Sequence, residues 1–286
     1  RYWGFFRRNP ILPMIIVVLI LISAIFAPWL APHDPLVGDL RESDRPPAWQ
    51  AESPISGKEG LQTYFLGTDP LGRDILSRII WGARFSMLIA GIVIITGAVG
   101  GTILGMVAGY FGGIWDEALM RMVDLTLGVP FILVALATVV VFGSSITLVI
   151  SLLILFSWSG FARQVRAETL RLRTADYVLI SLIAGASSLW IIRKHLVPGV
   201  TNTVMVIGSL AIGQLILTEA TLSFLGVGIP KPNPAWGSMV ADGRAYINTS
   251  YWIALFPGIA IFLVSFAFNF LGDWIRDRLD PKLRQL

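Results

Sequence analysis

The sequence predicts an all-α polytopic membrane protein with six transmembrane helices, and three observations carry that prediction. Hydrophobic residues make up 55% of the 286 and charged residues 14%, with mean hydropathy +0.73. A water-soluble chain carries about 25% charged residues to cover its surface, so lipid must solvate much of this exterior. Second, the chain holds long charge-free stretches of the length a bilayer demands, roughly 20 apolar residues for a hydrocarbon core of about 30 Å. Third, Lys and Arg divide unevenly between the connecting segments, which gives the spans an orientation.

The charge-free stretches are 9–33, 85–115, 125–162, 195–218 and 245–272. The third is too long for one crossing, and Gly143-Ser144-Ser145 inside it is a turn signal that splits it into a helical hairpin. The predicted spans are therefore 11–30, 85–109, 119–142, 146–163, 199–222 and 253–274. An N-terminal signal peptide is the alternative for the first, but the apolar run behind Arg7-Arg8 shows no clear small-x-small cleavage site and is read as a span. Six spans put both termini on one side, and with them fall fourteen of the 22 Lys and Arg, against eight on the other. Both termini are expected to be cytoplasmic. The resulting organisation is a cytoplasmic N-terminus (1–10), a first span (11–30), an extracytoplasmic loop (31–84), a core of five spans (85–274) with a cytoplasmic loop at 164–198, and a cytoplasmic tail (275–286).

Several chemistries are excluded. There is no Cys for disulfides, thiolate metal sites or a thiol nucleophile, and His33 and His195 form no H-E-x-x-H pair. No metal site is predicted. Gly67 to Asp74 lacks the G-x-x-x-x-G-K-[ST] pattern, and Gly57-Lys58 is followed by Glu59, so the chain has no P-loop of its own. The net charge of +4 is read as topology rather than nucleic-acid binding.

The cytoplasmic loop is the most informative segment. Thr174 is a plausible N-cap with Asp176 in the first turn, Gly185 a helix stop, Ser187 a second N-cap, and Pro198 the first turn of the fifth span. Two short helices with a glycine corner follow. Leu179, Leu182 and Ile183 share one face at i, i+3, i+4; Leu189, Ile192 and Leu196 share another. Two readings fit an apolar face on a short water-side helix: packing under its own spans or in the lipid interface, or docking of another protein.

On these residues the loop resembles the coupling loop of permease subunits of bacterial ABC importers. The matching run is Asp176-Tyr177-Val178, Gly185-Ala186-Ser187, and Ile191 through Pro198 with His195 inside it. The rest of the chain is similar to the second, C-type permease subunit of dipeptide/oligopeptide importers, within the binding-protein-dependent transport inner-membrane component family. Four blocks carry this likeness: Gly67-Thr68-Asp69-Pro70-Leu71-Gly72-Arg73-Asp74; Gly109-Tyr110-Phe111-Gly112-Gly113 with Arg121 and Asp124; Glu219 to Gly226 followed by Pro234-Ala235-Trp236-Gly237; and Phe268 through Arg284. One departure stands out. The family's loop usually has Glu followed by two Ala where this chain has Leu179-Ile180-Ser181, and a position often basic is Leu182, which gives weight to an apolar contact.

The resemblance implies a type I ABC importer permease fold in a prokaryotic plasma membrane. It implies coupling to ATPases through Asp176, Leu179, Leu182, Ile183, Gly185, Ala186, Ile192, His195 and Pro198. The implied partners are a homologous permease in a heterodimer, two ATP-binding subunits or one fused ATPase, an extracytoplasmic solute-binding protein and a peptide substrate. ATP and Mg would sit on the ATPases, with no cofactor and no catalysis on this chain. Gly67, Asp69, Gly72, Arg73 and Asp74, with Thr68 capping a turn, read as a rigid extracytoplasmic elbow. Glu219 in the fifth span is either a hydrogen-bonded clamp or the lining of a water-filled path with Gln214 and Thr218, since an unpaired carboxylate in hydrocarbon costs about 2.5–3.5 kcal/mol. Gly97-x3-Gly101-x3-Gly105 reads as a helix-packing stripe. The same permease type carries nickel chelates, glutathione or haem, and a secondary transporter or channel is the competing class, which would need ionisable relays or an inverted repeat.

Overall fold

Backbone groups in hydrocarbon have only one another as partners, so apolar runs of this length become helices. The computed structural model describes residues 10–52 and 57–279, and among them the only β-pairing is an isolated antiparallel bridge between Thr68 and Asp74. The helices are α1 (Ile11–Leu30), α2 (Ile75–Phe111), α3 (Gly113–Gly128), α4 (Phe131–Phe142), α5 (Ile146–Leu172), α6 (Asp176–Ile183), α7 (Ser188–Ile191), α8 (Val197–Phe224), α9 (Trp236–Gly243) and α10 (Trp252–Leu279). Among the described residues five helical runs are long and apolar enough to cross a membrane, and six if α3 and α4 together make one span.

The helices exceed the charge-free windows because charge can be satisfied inside the protein. α2 begins at Ile75, ten residues before the expected start at 85. Asp74 caps it, accepting from the Ser77 N–H at 2.9 Å and from the Ser77 hydroxyl, and Arg78 is buried in its first turns with Nη1 donating to the Pro35 carbonyl at 2.9 Å. The segment expected to be extracytoplasmic accordingly ends at Asp74 rather than at 84. α5 runs on past 163 to Leu172 because Arg163 pairs with Asp124 at 2.6 Å and Arg166 chelates Asp116.

The third span is not the straight helix expected over 119–142. α3 and α4 meet at a bend of 80°. Val129 is extended (φ −93°, ψ 128°) ahead of Pro130, whose ring disfavours helical geometry in the residue before it and which has no N–H to continue the ladder. The hairpin turn lies at Gly143 (φ +75°), with α4 ending at Phe142 and α5 starting at Ile146.

The chain divides into two compact units that cut across the expected core of 85–274: residues 1–91, 135–149 and 212–270, and residues 92–134, 150–211 and 271–286. In the second, a glycine stripe on α2 packs on α5. A Cβ at Gly97 would lie 2.2 Å from Ser157 Oγ, at Gly101 2.5 Å from the Trp158 carbonyl, at Gly105 2.5 Å from the Ala162 carbonyl and at Gly109 2.7 Å from Thr169 Cβ. The backbones touch where side chains are missing, which extends the predicted stripe by one position. In the first unit the large buried anchors are Trp236, whose indole lies over Gly82 and donates to the Ile79 carbonyl at 2.9 Å, and Trp252, which donates to the Thr68 carbonyl at 3.1 Å.

Candidate functional site

The loop between α5 and α8 is built on a buried base. Val178, Ile191 and Leu196 are buried against Leu172 and Val165 of α5, Met106 of α2 and Val200 of α8, with Ala186 and Ile192 packed at the margin. α6 therefore turns Val178 inward, and its remaining apolar residues have no protein to cover them. Leu182 is 55% and Ile183 87% exposed, with Leu179, Ile180, Leu189 and Trp190 also exposed. The expected face of Leu189, Ile192 and Leu196 splits: Leu189 points out, Ile192 is half-buried and Leu196 is buried.

The capping differs from expectation at one end. The residue before α6 is Ala175, with no side-chain cap, and the Thr174 hydroxyl donates instead to the Arg171 carbonyl at 2.9 Å, because α5 persists to Leu172 and leaves Thr174 in its closing turn. At the corner, Gly185 takes φ +80°, a left-handed position that suits Gly. The Ala186 N–H bonds to the Ser181 carbonyl and the Gly185 N–H to the Leu182 carbonyl. Ser187 accepts from the Trp190 N–H. Asp176 lies exposed in the first turn of α6.

α7 does not stop before the fifth span. Residues Ile192–Leu196 form a π-helical turn, with the Val197 N–H bonded to the Ile192 carbonyl, so Ser188–Phe224 is one continuous 37-residue run. Pro198 sits at its junction, where a ring without an N–H disfavours regular α-geometry behind it. His195 lies in this turn with its ring between Tyr177 and Trp190, centroids 5.3 and 5.2 Å away, and Nε2 3.0 Å from Ser181 Oγ. It locks the two short helices together. Tyr177, Ile180 and Trp190 are absent from the predicted coupling set; the i, i+4 spacing of Tyr177 and Ser181, which places them on one face, was the available signal for the first.

At the elbow, the Asp69 carboxylate accepts from the N–H groups of Leu71 (2.9 Å) and Arg73 (3.0 Å) and from Arg73 Nε (2.7 Å). Asp69, not Thr68, therefore closes the turn. Thr68 is buried and ties in a distant segment, accepting from the Arg45 N–H at 3.0 Å and donating to the Glu42 carbonyl. Gly67 (φ +83°) and Gly72 (φ +73°) are required both by backbone conformation and by space, since a Cβ would lie 2.5 Å from the Arg45 carbonyl or 1.8 Å from that of Asp39. Nearby, burial raises the carboxyl pKa of Asp44 above its ordinary value, and the charge of Asp69 adds to the effect.

The predicted group of Gln214, Thr218 and Glu219 comes apart. Gln214 is exposed and Thr218 half-buried, donating to the Gln214 carbonyl, whereas Glu219 is 1% exposed. Glu219 accepts from Ser223 at 2.7 Å and from Ser86 of α2 at 3.2 Å, and Ser223 in turn accepts from the Ile229 N–H at 3.2 Å. That is a clamp within the protein. Helical spacing explains the separation, because position 219 falls about 100° round from 218.

Residues 101–285 match the family described as binding-protein-dependent transport system inner membrane component, and residues 2–47 match the N-terminal TM domain of oligopeptide transport permease C. The chain belongs to this transport permease family. Among its relatives are the glutathione transport system permease protein GsiD of Escherichia coli (39% identical, over 99% of this chain and 90% of the relative) and the dipeptide transport system permease protein DppC of Haemophilus influenzae (34%, over 100% and 95%). Solved structures with the same fold include an inward-facing MetNI methionine ABC transporter (TM-score 0.58, 19% identity, 72% of this chain and 98% of that one) and an amino acid ABC transporter (TM-score 0.53, 14% identity, 74% and 95%). The all-α, type I importer permease fold and the multi-pass membrane character read from the sequence thus hold for this permease, and a secondary transporter or channel is set aside.

Proposed function

We propose that this permease forms half of a heterodimeric pore through which short peptides enter the cell, driven by ATP hydrolysis on partner subunits that hold the ATP and Mg and do the catalysis. A solute-binding protein delivers substrate to the face carrying 31–74 and 225–251, and both termini are cytoplasmic. Relatives named for dipeptide and glutathione transport support the substrate class, since glutathione is itself a tripeptide. The observation that carries the reading is the apolar crest of α6, exposed at Leu179, Leu182 and Ile183 over a locked, buried base. Ala186 and Ile192 pack on that base, Gly185 makes its corner and His195 ties the two short helices together, while Asp176 and Pro198 are exposed at its two ends. Covering three such side chains contributes about 4–8 kcal/mol gross, before the cost of association.

Attachment of the ATPases should therefore survive high salt, which shortens the screening length from about 8 Å at physiological ionic strength to about 3 Å at 1 M. Leu182→Glu should release them, because a carboxylate would be desolvated in an apolar groove. Arg171→Ala should retain them, as Arg171 is spent on Glu168 of its own helix. Pull-down of the ATPases by tagged variants at low and high salt checks this. Dissociation of the wild type by salt, or retention by Leu182→Glu, would assign the attachment to charge or to another surface.

A further inference from the structure

The elbow borders a cavity of about 640 Å³ that no part of the coupling argument uses. Its walls are largely apolar, with Leu71, Ile75, Pro232, Met239 and Ile253 contributing, and charged groups converge at one side. Two acids line it, and both are engaged. Asp69 is held by Arg73 and two backbone N–H groups, and Asp242 accepts from Lys231 Nζ at 2.6 Å. Of the three cations, Arg78 has the loosest ion pair among the described residues: its Nε stands 3.8 Å from Asp69 Oδ2, an acid already held by Arg73, and its hydrogen bond, 2.9 Å, goes to the neutral Pro35 carbonyl. Arg78 is 4% exposed, so its charge is largely desolvated at the cavity wall. A guanidinium so placed favours a carboxylate, which it can meet through two parallel N–H donors.

The volume decides what carries that carboxylate. It lies within the range of about 300–1,000 Å³ typical of small-molecule sites and far exceeds what one acidic side chain of a docking protein would fill. We infer that this cavity is a binding site for a small apolar carboxylate of dipeptide size, with Arg78 receiving the carboxylate and the Met239 and Ile253 side taking the apolar body. The inference deepens the peptide-import reading by placing a substrate subsite on the permease itself, and it rests on that reading for the ligand class alone.

The test uses the purified complex in nanodiscs, without ATP or binding protein, and two probes, Leu-Leu and its C-terminal amide, with affinity read by microscale thermophoresis. Wild type should bind the free acid at least tenfold more tightly than the amide. Arg78→Gln should reduce that preference to less than twofold, with Arg78→Lys between the two. Because Arg78 also holds Pro35, Ala241→Phe, which fills the cavity and leaves the guanidinium in place, should weaken both probes in a complex that elutes as wild type. No binding by wild type, equal binding of acid and amide, a preference that survives Arg78→Gln, or indifference to Ala241→Phe would each overturn the site. If wild type binds the acid only once the binding protein is added back, the site is likewise overturned and the cavity is assigned to docking of that protein. Peptide uptake by the wild-type transporter, measured separately, keeps the import reading distinguishable: uptake without cavity binding sinks the site alone.

Discussion

Glu219 was legible in the sequence as an embedded acid that had to face protein or water, but its two roles were not separable there. Ser223, at i+4, was within reach of a helical argument; Ser86, 133 residues away, was not, because spacing along a chain carries no information about which distant hydroxyl a helix will meet. The structure spends Glu219 on both serines and, through Ser223, on the turn carrying Ile229. Glu219→Ala should therefore leave the buried Ser86 and Ser223 hydroxyls short of an acceptor and cost about 1–3 kcal/mol. Glu219→Gln keeps an acceptor and should cost less. Thermal melting of the purified complex checks the order Ala below Gln below wild type, while ATPase attachment, proposed above to rest on α6, should be the same in all three. The elbow shows the same division: its glycines and Asp69 were identifiable from their run in the sequence, but the hydrogen bonds from Thr68 to residues 42 and 45 belong to a segment with no periodicity to read.

Helices were recovered more faithfully than their ends. The charge-free criterion stops a span at the first Arg, and α2 and α5 continue through Arg78 and Arg166 because each finds a partner across the fold. The bend at Pro130 falls at a proline inside an apolar run, which a criterion built on charge-free length does not register. The glycine stripe was read for what it is. Its consequence is that α2 and α5 have no slack at the level of Gly101, where even a methyl group would meet a backbone carbonyl at 2.5 Å. Gly101→Val should force the helices apart at a cost of about 1–3 kcal/mol, seen as lower yield and melting temperature. Gly100→Val, one residue earlier, has open space at Cβ and should be nearly silent.

At the scale of the whole chain, the count of spans and the class of protein followed from composition, since both depend on the solvent rather than on particular contacts. The two compact units did not, because they are assembled from non-contiguous segments. Sidedness rests on the distribution of Lys and Arg. In this Cys-free chain, Ala51→Cys and Thr174→Cys place single thiols at exposed positions in the two principal loops. An impermeant maleimide added to intact cells should label Cys at 51 and spare Cys at 174, and the reverse pattern would invert the topology.

The π-helical turn at Ile192–Leu196 sets the rotational phase of the loop. A turn closed by an i→i+5 bond holds one residue more than an α turn, so α7 faces as it would if the chain before α8 were one residue shorter. Trp190 meets His195 only in that phase. Deleting Lys194, which is exposed, together with Pro198→Ala to relieve the ring, should convert the turn to plain α-helix and leave the crest pointing the same way. The same deletion made at Thr203, beyond the turn, should swing it by about 100° and abolish ATPase capture. The direction in which this permease presents the apolar crest of α6 is thus stored as a single surplus residue.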